Sequence, residues 1–401
     1  MEPNPDISRL HLDLNRLEAA TTQVSIKRPR EFTCFSYDKN HNLHLDDSSL
    51  KWYYPPQAHE FPANLSAGYE QFEKHDSSQD EHLDSLLTAI THHEQQTNQL
   101  IDAKFVTWRG MMTKFFCAPY SNDDFEMNAT LFQDCIFIEE NWAFKRSQEA
   151  EDKKNWKSPL APELMQFWGY KFETLATIPR PWGETPRETI ESRDSEIVNN
   201  KEQYCSIVRT AIGGKVMCLG GEVDAIWDSK PKTPGAPINW VELKTSKVNR
   251  THKDSFAFNR KLLRYWAQSF LLGVPKIIVG FRDHEGLLQS IEEYKTREIE
   301  EAVRREWKNS TNWNWRPWVC INFTSELLDW AQQIIKADPQ QSGVWRIRFR
   351  KQTNNVELFK VEETGHGRIL TEEFVKWRTL RAQSLNPDAN PKNQDVDDIM
   401  G

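Results

Sequence analysis

Two short runs hold the residues best suited to chemistry, Gly220-Gly-Glu-Val-Asp-Ala-Ile-Trp227 and Trp240-Val-Glu-Leu-Lys-Thr-Ser-Lys247. In an extended strand, residues two apart share a face. Glu222 and Asp224 therefore project together, as do Glu242 and Lys244. If the two strands pair through the Ser229–Ile238 loop, three carboxylates and one ammonium converge on one patch. Carboxylates so crowded raise one another's pKa unless a cation lies among them. All-oxygen ligation suits Mg2+ or Mn2+, which also grip phosphate oxygens. Metal-assisted hydrolysis of a phosphoryl bond is the chemistry such a patch can do.

The E-x-K triplet alone says little, since Glu151-Asp-Lys153 and Glu293-Tyr-Lys295 repeat it. E-x-D followed 18 residues later by E-x-K, on apolar strands with a Gly-Gly lead-in, is far more specific. The alternative is a solvent-facing hairpin laced by salt bridges. Val223, Ala225, Ile226, Trp227, Val241 and Leu243 oppose it, because they make both strands look buried, where unpaired carboxylates are expensive.

The elements that must position these residues form a mixed α/β pattern. Amphipathic periods predict helices from Glu81 to about Leu100, from Pro162, from about Asn259 to Leu272, and after Thr324-Ser325. Strands are expected at Tyr204–Ile212, Val216–Trp227, Trp240–Thr245, Ile277–Arg282 and Trp345–Arg350. On the second helix Glu173 lies half a turn from the apolar stripe, so periodicity turns it toward water. On the third, Lys261, Arg264 and Gln268 cluster opposite Leu263, Trp266 and Phe270; that face is either a phosphate groove or ordinary solvated surface.

Charge placement favours the groove. The 401 residues carry 51 Lys+Arg and 59 Asp+Glu, a net of −8, which at first sight opposes a nucleic-acid partner. Yet Lys244 to Arg264 holds seven basic residues and one acid, a local +6 inside a remainder of −14. A basic strip abutting a carboxylate cluster suits an anionic polymer threaded past a metal. Trp108-Arg109-Gly110 adds a guanidinium with a glycine that would allow close backbone approach, or, by default, a surface ion pair. Sixteen tryptophans build core and can stack on bases.

Other classes recede. No apolar run reaches the ~20 residues of a membrane span, and MEPNPDISRL lacks the basic start and apolar core of a signal peptide. Six scattered cysteines suggest reduced, mostly buried thiols and neither a disulfide framework nor a zinc site. Residues 1–28 read as a disordered polar segment, 29–383 as one globular domain, and 384–401 as a disordered acidic tail. Lys27-Arg28-Pro29-Arg30 fits a nuclear-import signal and equally a solvated charge cluster.

The ordered set Trp108-Arg-Gly110, Trp168-Gly-Tyr-Lys-Phe-Glu173, Gly221-Glu-Val-Asp224, Val241-Glu-Leu-Lys-Thr-Ser-Lys247 and Lys261-Leu-Leu-Arg-Tyr-Trp-Ala-Gln-Ser-Phe270 closely resembles the DXO-like family of RNA 5′-end decapping nucleases. The match runs from about Pro29 to Trp330 and includes Cys34-Phe-Ser36 and Tyr53-Tyr-Pro-Pro56. The resemblance implies two packed mixed β-sheets with flanking helices and a core similar to PD-(D/E)-x-K nucleases. It implies Glu173, Asp224 and Glu242, with the Leu243 carbonyl, as ligands of a divalent cation (Mg2+ or Mn2+), reversing the periodicity reading of Glu173. Glu222, Asp224, Glu242 and Lys244 become the catalytic set; Glu81, Trp108, Arg109, Gly110, Cys205, Glu222, Lys244 and Gln268 become substrate contacts. Asn40-His41 stands where a basic substrate contact is expected.

By the same resemblance, the chain is expected to remove unmethylated, incomplete or NAD caps as whole units, and pyrophosphate from 5′-triphosphate RNA. The 5′-monophosphate product would pass to a nuclear 5′→3′ exoribonuclease that the chain binds and stimulates. Location in the nucleus and no membrane partner follow. Two other readings share features of the site. One is a non-catalytic stabilising cofactor of the exoribonuclease, which the intact Glu222, Asp224, Glu242 and Lys244 set opposes. The other is a restriction-type DNA endonuclease, which leaves the Trp-Arg-Gly and Gly-Tyr-Lys-Phe-Glu segments unexplained.

Overall fold

The computed structural model describes residues 7–306 and 315–385. Its strands form one ten-stranded and one seven-stranded mixed sheet. From edge to edge, the larger contains Ser8–His11, Asn355–Glu362, Val344–Arg350, Phe125–Phe132, Cys135–Glu140, Phe105–Trp108, Lys215–Glu222, Gln203–Ile212, Ile26–Tyr37 and Leu43–His44. The smaller contains Ala63–Asn64, Leu287–Lys295, Lys276–Arg282, Trp240–Lys247, Ala225–Ile226, Trp52–Tyr53 and Thr177–Ile178.

Period-2 alternation sorts each strand between cores. Met217 and Leu219 join the main core with the helices Arg109–Cys117, His252–Leu272 and Pro317–Ala337, while Cys218 faces the helices Asp84–Thr97 and Glu372–Leu385. In the smaller sheet, Val241 and Leu243 pack under the helix Pro162–Ala176. Trp240 points the other way into the main core, so Glu242 and Lys244, of the same parity, face the space between the sheets.

The helix His252–Leu272 links the parallel strands Trp240–Lys247 and Lys276–Arg282. It begins seven residues before the expected Asn259, because Thr251 and Asp254 make a reciprocal capping box ahead of the first buried residue, Phe258. The helix expected after Thr324-Ser325 likewise starts earlier, with Pro317 in its first turn. Thr324 lies inside it, its hydroxyl donating to the Cys320 carbonyl at 2.8 Å instead of capping. The first expected helix is shortened to Asp84–Thr97, closed by Asn98 in the left-handed region at φ 55°.

Two further expectations need correction. The segment before residue 29, expected to be disordered, is folded from Ser8: Ser8–His11 extends the large sheet and Asp13 caps the helix Leu14–Ala19. Leu12 and Leu17, each 3% exposed, anchor it, with Leu10 and Leu14 against the same core; the four leucines straddle a change from strand to helix, so neither period runs long enough to read. Lys27–Arg30 is part of the strand Ile26–Tyr37. The expected tail lies outside the described residues except for Ser384 and Leu385, which finish a helix.

The second correction bears on the site. Val216–Trp227 is not one strand. Lys215–Glu222 ends in the large sheet and Ala225–Ile226 begins in the small one, so Val223-Asp224 crosses between them. The glycines before the crossing are sterically required. A Cβ on Gly220 would lie 2.8 Å from the Trp108 ring and 2.9 Å from Leu86; on Gly221, 2.9 Å from Leu272 and 3.0 Å from Arg109. Gly220→Ala is expected to destabilise the fold by about 1–3 kcal/mol by overpacking against Trp108. Urea unfolding measures this, and an unchanged midpoint would refute the steric assignment.

Candidate active site

Three chain segments meet where the sheets are joined. The strand Phe105–Trp108 runs parallel to Lys215–Glu222 and delivers Arg109 as the first residue of the helix Arg109–Cys117. Glu222 ends the strand Lys215–Glu222 and Asp224 lies in the crossing that follows it. Ala225–Ile226 pairs antiparallel with Trp240–Lys247, with Ala225 opposite Val241, which brings Glu242 and Lys244 alongside.

Glu242 is the fixed point. It is 1% exposed, with one oxygen 3.2 Å from Arg109 Nη1 and the other 2.6 Å from Lys244 Nζ. Burial would raise its pKa, but the Lys244 ammonium and Arg109 guanidinium outweigh burial and hold it low. Lys244 and Arg109 are themselves pushed up, because neighbouring carboxylates overcome the desolvation of each. Asp224 Oδ2 accepts the Leu243 backbone N–H at 2.5 Å. That bond ties the crossing to the next strand.

For the remaining carboxylates, burial and mutual repulsion outweigh the same cations. Asp224 is raised to about 7 by burial, then by the charges of Glu242 and Glu222. Burial also raises Glu222 against the pull of Arg109 and Lys244. Glu173 is raised well above the ordinary range by burial and by Asp224 and Glu222. Periodicity turns Glu173 toward water; the structure leaves it half-buried and facing the carboxylates. The helix packs on the small sheet through Phe167, Trp168 and Phe172, and its flank bearing Tyr170 and Glu173 overhangs the crossing. A single apolar stripe does not show a flank that is covered from the side.

Glu173, Asp224 and Glu242 are oxygen donors of the kind a hard divalent cation takes, and they act on one another across the cleft, Asp224 on Glu173 and Glu242 on Asp224. The excess of buried negative charge fits that cation. The donor oxygens of these carboxylates do not all lie within 4.8 Å of one another. Triads with donor atoms all within 4.8 Å of one another occur, among the described residues, at His41–His75–Glu81 and Asp80–His82–Glu139 instead.

The expected substrate contacts are placed as follows. Cys205 is buried, lies directly opposite Glu222 in the ladder, and has its thiol pushed up by burial and by Glu222. The charge of Glu81 raises the same thiol further. Trp108 is half-buried, donating its indole N–H to the His82 carbonyl at 2.9 Å. Gly110 is exposed, and a Cβ there would meet nothing within 4 Å beyond its own helix turn, so the fold itself does not require a glycine at this position. Lys261 Nζ reaches Ser246 Oγ at 3.3 Å and Tyr265 OH the Thr245 carbonyl at 3.3 Å; the stripe then continues one turn to Gln268. Arg264 leaves that face to pair with Asp123 at 2.5 Å, and Lys247 pairs with Asp254 at 3.1 Å. The basic strip is therefore partly neutralised, by its own Asp254 and by Asp123 from outside it. Arg109 is no surface ion pair. All six cysteines are free, five of them buried, and no helix among the described residues is long and apolar enough to cross a membrane.

Residues 27–375 match the family model described as RAI1 like PD-(D/E)XK nuclease. The chain belongs to this family. It is a nuclease, a hydrolase that uses a divalent metal cation, and its two mixed sheets with flanking helices are the family's fold. The decapping nuclease RAI1 of Neurospora crassa is 54% identical over 354 residues, covering 88% of this chain and 83% of the relative. Candida albicans Rai1 in complex with pU5-Mn2+ superposes with a TM-score of 0.85 at 29% identity, covering 93% of this chain and all of that one. Scheffersomyces stipitis Rai1 in complex with (3′-NADP)+ and calcium ion gives 0.83 at 29% identity, covering 92% and 100%.

The raised Asp224 has a consequence for stability. A carboxyl whose pKa is higher folded than unfolded stabilises the fold when protonated, and this contribution is lost as pH rises through the folded value. In chelator, thermal stability is expected to fall as pH rises from about 4, the ordinary aspartate value, to about 7, the value of Asp224 in the fold, and to level off above it. Mg2+ or Mn2+ should flatten the decline, and Asp224→Asn should remove its metal dependence. A metal-free melting profile that rises across this window would contradict an excess of buried negative charge at Asp224.

Proposed function

We propose that the chain removes the 5′-terminal structures of RNA by hydrolysing a phosphoric-anhydride or phosphodiester bond, leaving 5′-monophosphate RNA. The observation that carries the reading is Glu242, buried between Arg109 and Lys244 next to Asp224 and Glu222, both of which burial raises. A phosphate entering there meets two cations already fixed in place, with no reorganisation needed during the reaction. The name of the Neurospora crassa relative, a decapping nuclease, and the pU5 bound to Candida albicans Rai1 support a 5′-end substrate. The (3′-NADP)+ bound to the Scheffersomyces stipitis protein supports NAD caps among the substrates, beside unmethylated or incomplete guanosine caps and triphosphate ends.

Glu173, Asp224, Glu242 and the Leu243 carbonyl hold the cation. When bound, the cation polarises a phosphate oxygen and lowers the pKa of a coordinated water. Lys244 places its ammonium against the charge that develops on the phosphoryl oxygens, and Arg109 holds the adjacent phosphate with its planar fork. Glu222 accepts a hydrogen bond from the attacking water and fixes its approach. Trp108 and Gly110 flank the terminal nucleotide, Gln268 continues the contact along the chain, and Cys205 with Glu81 borders the cap side. Water adds to phosphorus as the bond to the leaving cap or pyrophosphate breaks. The cap therefore departs whole.

The monophosphate product is the form a 5′→3′ exoribonuclease consumes, so the chain works with such a partner, which it binds and stimulates in the nucleus. RNAs labelled at the 5′ end and bearing a guanosine cap, an NAD cap or a triphosphate, incubated with Mg2+ or Mn2+, are expected to release intact caps or pyrophosphate. Glu222→Ala/Asp224→Ala is expected to fold and release none; undiminished release by that variant would sink the assignment. Arg109→Lys is expected to lower kcat by about 10–1000-fold, the scale of one lost transition-state contact. Pull-down of the exoribonuclease by the double variant distinguishes binding from catalysis. Failure of both wild type and variant to retain it refutes the partnership.

A further inference from the structure

The basic run Lys27-Arg28-Pro29-Arg30 has no part in the site described above, yet the fold gives it a definite place. It lies on the strand Ile26–Tyr37, which pairs along one edge with Gln203–Ile212. Along the other edge only Ser36 and Tyr37 find a strand partner, in His44 and Leu43. The open edge borders a groove of about 1000 Å³, flanked by the loop after Ser229 and by His92, His93 and Gln96 of the helix Asp84–Thr97. On the reading of the chain as an RNA 5′-end hydrolase, we propose that this groove binds the body of the RNA, the single strand downstream of the end that is hydrolysed.

Five cations line the groove, Lys27, Arg28, Arg30, Arg209 and Lys230, against one acid, Glu31, a net of +4. Glu31 is already engaged, by Lys230 at 3.0 Å and by the hydroxyls of Tyr204 and Ser206, each at 2.7 Å. Lys27, Arg28, Arg30 and Arg209 are exposed. Arg30 stands directly opposite Arg209 in the ladder, and like charges so placed destabilise a strand pair. Arg28 is held below its ordinary pKa by burial and by the charges of Arg297 and Arg30. Lysine and proline on an open edge guard it against pairing with other chains, and Lys27 and Pro29 suffice for that. Arg209 belongs to the next strand inward and Lys230 to the loop, so neither guards the edge. A row of phosphates relieves the repulsion among all of them.

The lining suits a nucleic acid better than an acidic peptide. Phe32 and His93 meet edge to face in it, with ring centroids 5.0 Å apart. Burial, and then the charge of His92, lowers the His93 pKa, so at neutral pH this residue presents an uncharged ring. Bases stack on aromatic rings whatever the sequence, and guanidinium planes take them in the same way.

Sheet register measures how far this groove lies from the reaction centre. Cys205 is opposite both Glu222 and Phe35, which sets Glu222 and Phe35 two strand spacings apart, about 10 Å. Arg30 is five residues along the strand from Phe35, about 17 Å. Arg30 therefore lies about 20 Å from Glu222, the length of about six stacked nucleotides at ~3.4 Å each. The flanking loop is the one that connects Ala225–Ile226 to Trp240–Lys247, so a single segment borders the groove and joins two strands of the catalytic site. Within it, a Cβ on Gly235 would lie 3.6 Å from Arg30 Cδ.

Two 5′-triphosphorylated RNAs, of about 5 and about 30 nucleotides, test this on the full chain with Mg2+ or Mn2+. In wild type the longer RNA is expected to have a KM at least about tenfold lower. Lys27→Glu/Arg28→Glu/Arg30→Glu, which keeps the edge charged, is expected to abolish that difference and to leave turnover of the short RNA unchanged. Binding of the long RNA, followed by fluorescence anisotropy in chelator, is expected to lose about 2 units of its logarithmic salt slope, ~0.7 for each of three phosphate contacts. Arg30→Gln alone is expected to bind the long RNA more weakly while its Tm holds or rises, since it relieves the opposition to Arg209. A folded triple variant with an unchanged slope and length effect would overturn the proposal and leave the groove to an acidic protein segment. Loss of short-RNA turnover in that variant would overturn it too, by merging the groove with the catalytic cleft. If the triple variant does not fold, Arg30→Gln decides: unchanged affinity refutes the groove. Should wild type hydrolyse neither RNA, the 5′-end reading fails, and the binding measurement still tests the groove.

Discussion

The structure depends on one buried carboxylate having two cations in reach. Glu242 is almost wholly shielded from water, and a charge there is tolerable only because Arg109 and Lys244 stand against its two oxygens. Removing either cation leaves an uncompensated buried charge, a loss of about 3–5 kcal/mol in comparable cases. The requirement reaches outward. Arg109 must start a helix at the end of a parallel strand, Gly220 and Gly221 must leave room for it, and the chain must change sheets at Val223-Asp224.

A second level of electrostatics lies on top of this clamp. Glu242 is balanced, whereas Asp224, Glu222 and Glu173 are left with raised pKa values by burial and mutual repulsion. The site is therefore stable as a scaffold and unsatisfied as a ligand set. The −8 net charge describes neither property. Even the local basic strip overstates the attraction for an anion, because Lys247 and Arg264 are already paired with Asp254 and Asp123.

The catalytic pairs are legible in the sequence because strand alternation is a strong local rule: it puts Glu242 and Lys244 on one face without tertiary knowledge. It also misleads. Glu222 and Asp224 come together through a change of sheet, not through one continuous strand, and no local period reports such a change. Glu173 is misread by periodicity because its environment comes from a flank covered from the side, and only the family resemblance points it inward. The strands Phe125–Phe132 and Cys135–Glu140 are buried on nearly every residue and carry no alternation to read. The N-terminal segment folds through Leu10, Leu12, Leu14 and Leu17, whose spacing changes from strand to helix before either period is established.

The crossing at Val223-Asp224 gives the molecule a property beyond holding two acids. Each sheet contributes part of the reaction centre, Glu222 and the arginine anchor from one, Glu242 and Lys244 from the other. The centre is complete only when the sheets are in register, so it works as a gauge of their alignment. Small slippage between the layers, far too slight to unfold either, would separate acid from base. Substitutions deep in the shared core, tens of residues away in sequence, can thus silence the enzyme while leaving a well-folded protein.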